Sequence, residues 1–110
     1  MKHIVFSPQA LIDVEEIKDY IQSQFGEKAA TKNIALIIHD IKLLEQFPMS
    51  GSGIWERYGI ESDYRYIYAN KNYVFYRIED DQIKIIRVLA ARRDFLNILF
   101  GIKTQTDDLE

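Results

Sequence analysis

The chain contains no cysteine, which removes disulfides, thiol nucleophiles and thiolate-bound zinc together. It has two histidines, His3 and His39, and their separation fits no metal-ligand spacing. None of its five glycines forms a phosphate-cradling loop. No His-Glu-x-x-His pair occurs, and no serine sits in a nucleophile-elbow context. Neither a cofactor nor a metal is therefore expected. No apolar run approaches the ~18 residues of a membrane span, and "MKHIVFSPQA" lacks the apolar core and cleavage site of a secretion signal. These absences predict a soluble, cytoplasmic chain with no membrane partner.

What is present suffices for one folded domain. The 110 residues are 47% hydrophobic and 13% aromatic, enough for a core without covalent or metal staples. The net charge of −3 is unevenly spread. Residues 1–53 carry −2, residues 54–103 carry +2, and "TQTDDLE" adds −3. We read residues 1–103 as a single domain and 104–110 as a flexible acidic tail. All six arginines lie in the second half, and arginine is the side chain suited to forked recognition of phosphate or carboxylate.

The patterning predicts an α+β fold. "KHIVF" (2–6) reads as a strand, and Ser7-Pro8 is a hydroxyl N-cap followed by proline at the first helical position. Ala10, Leu11, Val14, Ile17, Tyr20 and Ile21 then recur at helical spacing up to Gly26. A second helix is expected from about Glu27 to Glu45, so the two should form an antiparallel hairpin. "FPMSGSG" (47–53) is a loop, and "IWERY" (54–58) is read as a short strand. "YRYIYA" (64–69), "NYVFYRI" (72–78) and "IKIIRVLA" (83–90) are β-branched and aromatic strands joined by turns at Asn70-Lys71 and Asp80-Asp81. "FLNILF" (95–100) should be a short helix ended by Gly101. The expected order is β-α-α-β-β-β: an antiparallel meander sheet, the N-terminal helical hairpin packed on one face, and a short C-terminal helix.

Two-residue turns fix a register in which Arg65 faces Tyr76, Tyr76 faces Ile85, and Val74 faces Arg87. Arg65, Ile67, Val74, Tyr76, Ile85 and Arg87 then share one face. Tyr66, Tyr68, Tyr73, Phe75, Ile86 and Val88 share the other, which, being larger and more apolar, is expected to receive the helices. The first face is expected to stay open. Arg65, Tyr76 and Arg87 on an open face could bind and stack on a polynucleotide, and the arginines could stabilise charge on a phosphate during RNA cleavage. Arg92 and Arg93, at the sheet exit, and Arg57 are candidates for nucleic-acid or target binding. Glu56 and Glu61 read as surface charge, and no proton-transfer group accompanies the arginines.

"FSPQALIDVEEIKDYI", "FPMSG" and "YRYIYANKNYVFYRIEDDQIKIIRVLAARRDF" together resemble the RelE/ParE superfamily of toxins from bacterial type II toxin–antitoxin modules, over roughly residues 3 to 101. The resemblance implies a growth-inhibiting toxin neutralised by a cognate antitoxin, in a heterotetramer or larger complex. It implies one of two targets, DNA gyrase for ParE-like members or the ribosome and its mRNA for RelE-like endoribonucleases. Arg65 and Arg87 fall where nucleolytic members carry basic residues. Ala90 and Ala91 stand where many of those members place histidine or tyrosine, and alanine neither transfers a proton nor stacks. The gyrase-directed action is thus the preferred expectation, with mRNA cleavage or a non-toxic interaction module as alternatives.

Overall fold

The structure, a computed structural model, describes residues 2–103, so the expected tail at 104–110 lies outside the described residues. Strand β1 (His3–Phe6) leads into α1 (Pro8–Phe25) and α2 (Glu27–Leu43). A 3-10 turn (Pro48–Ser50) precedes β2 (Ser52–Gly53) and α3 (Ile54–Tyr58). The chain closes with β3 (Arg65–Ala69), β4 (Asn72–Ile78), β5 (Gln82–Ala90) and α4 (Phe95–Phe100). Among the described residues no helix is long and apolar enough to cross a membrane.

The local chemistry explains the boundaries. The Ser7 hydroxyl accepts the Ala10 N–H at 3.0 Å and donates to the Ile86 carbonyl at 2.9 Å, capping α1 and tethering its start to β5. Gly26 turns the hairpin at φ +94°, a conformation that favours glycine. Asp94 caps α4 by accepting the Asn97 N–H, and Gly101 ends it.

The α+β architecture is as expected, with two corrections in detail. The strand order is β1-β5-β4-β3-β2, and β1 pairs parallel with β5 at the edge. The meander of β2 to β5 is antiparallel, but the helical hairpin carries the chain away from β1 and leaves that strand aligned with β5. "IWERY" is a helical turn rather than a strand. Ser52–Gly53 already supply the short pairing with Tyr66 and Arg65, and Gly59 caps the turn through its N–H to the Trp55 carbonyl.

The helices cover the face of Ile67, Val74, Tyr76, Ile83, Ile85 and Val88, against Ala10, Ile37, Ile41 and Leu44. This reverses the expected assignment of faces. Aliphatic β-branched side chains fill most of the gap to the helices and carry no polar atom to satisfy, and the one tyrosine there, Tyr76, has partners for its hydroxyl. The tyrosines gather on the other face, where Ile54, Phe75 and Leu89 are buried beneath Phe95, Ile98, Leu99 and Phe100 of the C-terminal helix.

The β3–β4 turn is made by Asn70 at φ 49° and Lys71 at φ 68°, the left-handed pair of a type I′ hairpin without its usual glycine. Replacing Lys71 by glycine should relieve the strain of a side chain in that region and raise stability by about 0.5–1 kcal/mol. Urea denaturation of Lys71→Gly is the check; an unchanged or lowered midpoint would show that the turn is not strained.

Candidate target and antitoxin surfaces

The register that places the expected site residues holds along all of β3–β4, where Arg65 pairs with Tyr76, and from the β4–β5 turn as far as Tyr76, which pairs with Ile85. It shifts at Phe75/Tyr76, where a bulge sets Arg87 opposite Phe75 and Val88 opposite Val74. Unbulged two-residue turns predict Val74 opposite Arg87, so this pairing is a correction. The extra residue twists β5 locally.

Arg65, Tyr76 and Arg87 are brought to the same side of the sheet, but that side lies under the helices. Tyr76 is fully buried. Its hydroxyl donates to the Pro48 carbonyl at 2.6 Å and accepts the Gly51 N–H at 3.1 Å. Arg65 Nη2 donates to the carbonyls of Gly51 at 2.5 Å and Met49 at 3.3 Å. The two side chains therefore pin the 47–53 loop. Gly51 is required by this close approach, since a Cβ there would stand 2.6 Å from both the Tyr66 carbonyl oxygen and the Tyr76 hydroxyl.

Arg87 reaches α1. Its Nε donates to Asp13 Oδ2 at 2.7 Å and its Nη2 to Oδ1 at 3.0 Å, and the Val88 N–H gives Oδ2 a third bond at 2.9 Å. Asp13 is buried, and this fork raises the pKa of Arg87 above its ordinary value. All three groups are thus engaged in holding the molecule together.

The three arginines expected to bind a target, Arg57, Arg92 and Arg93, lie apart from these. Arg57, on α3, sits over the tyrosine face with its guanidinium 5.8 Å from the Tyr58 ring centroid. The neighbouring Tyr66 and then Tyr58 raise its pKa. Arg92 is on the helix side, 5.6 Å from the ring centroid of Tyr20. Arg93 follows it, exposed, with its N–H on the Ala90 carbonyl at 2.9 Å.

Around Arg92 the structure opens a groove of about 460 Å³ between α1 and the ends of β3, β4 and β5. Ile17, Tyr20, Ile21, Phe25, Val88 and Ala90 give it an apolar wall; Lys71, Arg92 and Arg93 give it a basic rim. Asn70 at its end is held by a hydrogen bond that its side-chain Nδ2 donates to Asn33 Oδ1 at 2.7 Å. Sequence reasoning placed Tyr20 on the buried stripe of α1, yet it is 52% exposed and Phe25 71%. The available signal was Phe25 itself, a large aromatic that continues the Ile17–Ile21 row at four-residue steps to the last turn of α1, next to the hairpin glycine where little of the second helix is left to cover it.

A helical hairpin on a five-stranded, mostly antiparallel sheet, closed by a short helix, is a fold that toxins of toxin–antitoxin modules share. One solved structure with it is the chromosomal ParDE toxin–antitoxin system of P. aeruginosa, at TM-score 0.71 and 21% identity, covering 84% of this chain and 98% of that one. The E. coli DinJ–YafQ complex aligns at TM-score 0.52 and 18% identity, over 92% of this chain and 100% of that one. No curated protein matches the sequence. The family model for the ParE toxin of the type II toxin–antitoxin system parDE matches residues 4–95, and the chain belongs to that family.

Two substitutions test the structural roles. Asp13→Asn should cost about 3 kcal/mol, because it leaves Arg87 half-buried without its counter-charge, and the Asp13→Asn/Arg87→Met double variant should recover part of that loss. A loss below ~1 kcal/mol for the single variant in chemical denaturation would contradict the pairing. Tyr76→Phe should cost about 2 kcal/mol and expose 47–53 to proteolysis, since the Pro48 carbonyl and Gly51 N–H lose their partner.

Proposed function

We propose that this member of the ParE toxin family arrests growth by acting on DNA gyrase and is neutralised by a protein antitoxin. The observation that carries the choice of target is the state of the two sheet faces. A polynucleotide-cleaving site on the sheet would call for free arginines along the strands; here one face lies beneath α1 and α2, and on the other α4 packs over Phe75 and Leu89, leaving Arg57 of α3 as the arginine beside the tyrosines. Arg65 and Arg87 are engaged with loop carbonyls and with Asp13, and Tyr76 is buried. The strand ends in Ala90 and Ala91, which offer neither a proton nor a stacking plane.

The groove beside the hairpin suits the antitoxin. Its apolar wall and its rim of Lys71, Arg92 and Arg93 match an amphipathic segment with acidic residues along one edge. The ParDE and DinJ–YafQ structures that share the fold come from systems in which a toxin is paired with an antitoxin, which supports a partner of this kind. Charge on the rim then governs the association rate.

The test uses the purified chain in two assays. With DNA gyrase and plasmid, supercoiling should fall and cleaved DNA should accumulate. With ribosomes programmed with mRNA, no A-site cleavage should appear. Ribosome-dependent cleavage with gyrase unaffected would overturn the assignment, and inertness in both assays together with normal growth on induced expression would leave an interaction module without toxicity.

A further inference from the structure

The end of the sheet away from the basic groove carries a feature the antitoxin site does not use. Phe47 is 58% exposed, Met49 66% and Trp55 58%. Three large apolar side chains on one short segment are unusual for a surface with no partner. The segment bearing them is also held unusually firmly. Tyr76 spends its buried hydroxyl on Pro48 and Gly51, and Arg65 spends its guanidinium on Met49 and Gly51. At Gly51 a Cβ would stand 2.6 Å from the Tyr66 carbonyl oxygen, so the backbone there cannot shift outward without losing this close packing. None of these contacts buries Phe47, Met49 or Trp55. A fixed backbone that displays aromatic and thioether groups is preorganised for binding, because little freedom remains to be lost.

The charges around it identify the kind of partner. Pro48 shares a surface hollow with Glu45, Asp80 and Asp81, and Trp55 shares another with Glu61 and Asp63. The one basic side chain in the first hollow besides His3, Lys2, already bonds to the backbone of Glu79 and Asp80. Glu79 is itself matched by Arg77 at 2.9 Å. A nucleic-acid backbone brought to this rim would meet like charge, and so would a second copy of the chain in the same orientation.

We propose that the pinned segment bearing Phe47, Met49 and Trp55 is the surface by which the toxin grips its target protein, and that it fits a basic protein surface surrounding an apolar pocket. The aromatic and thioether groups are the anchors, and the acidic rim steers the approach. This deepens the gyrase reading but does not depend on that enzyme being the target.

The experiment compares the full chain with Phe47→Ala/Trp55→Ala and with Glu61→Lys/Asp63→Lys, by growth on induced expression and by binding to immobilised DNA gyrase. The substituted side chains are exposed, so both variants should keep the thermal midpoint and circular dichroism of the parent. The alanine variant should lose growth arrest and bind gyrase on the order of 100-fold more weakly or worse. The charge-reversed variant should associate about 10-fold more slowly at low salt and lose most of its salt dependence. A parent that arrests growth without binding gyrase overturns the gyrase reading alone; loss of arrest in the alanine variant would still uphold the surface. An alanine variant that arrests growth like its parent overturns the surface, as does a parent that fails to arrest growth at all. So would binding to DNA or RNA, or self-association, that the alanine pair abolishes.

Discussion

The buried carboxylate of Asp13 is the constraint on which the arrangement turns. A charge at a helix–sheet contact is costly to desolvate, and it persists only when its lone pairs are met. Here the Arg87 fork and the Val88 N–H meet them. Three bonds from consecutive residues of β5 to one side chain of α1 fix where the hairpin sits, both along the strand and across it. The bulge at Phe75/Tyr76 belongs to the same arrangement. It sets Arg87 and Val88 so that one offers its side chain and the other its backbone to the same carboxylate.

That lock also occupies the arginine that would otherwise face outward from the sheet. An arginine with a buried counter-ion is not free to greet a phosphate, and Arg65 and Tyr76 are similarly bound to the 47–53 loop. The same residue types that suggest an anion-binding face in the sequence act here as internal fasteners. On the opposite side α4 lies over Phe75 and Leu89, and the two features proposed for recognition lie at the rims of the sheet. One rim is the Tyr20–Arg92 groove, the other the pinned segment around Met49.

How legible this was in the sequence follows from the range of each signal. The helical hairpin, the β3–β4–β5 meander, the Ser7 cap and the Gly101 stop could be read because periodicity and capping are local. Pairing of Arg65 with Tyr76 was legible because a two-residue turn fixes register nearby. Pairing of Arg87 was not, because a bulge adds one residue without any local mark. The face assignment failed for another reason. Counting apolar area favoured the tyrosines, but burying Tyr66 and Tyr73 under aliphatic helices would strand their hydroxyls, whereas Ile83, Ile85 and Val88 carry none. Asp13 looked like one more acidic residue on the wet side of α1. Only the fold reveals that Arg87, far away in sequence, lies opposite it.

The arginines show how one residue type divides its labour by depth. Arg87 and Arg65 are partly buried, and each directs donors at acceptors inside the molecule, Arg87 at the Asp13 carboxylate and Arg65 Nη2 at the loop carbonyls of Met49 and Gly51. Arg92 lies at the surface on the Tyr20 ring, where its charge is partly spent on an aromatic face but its donors stay available. Arg92 can therefore be engaged from solvent without touching the Asp13–Arg87 lock that sets the hairpin. In this chain, rigidity and recognition draw on the same side chain at different depths, and the depth decides which role each one plays.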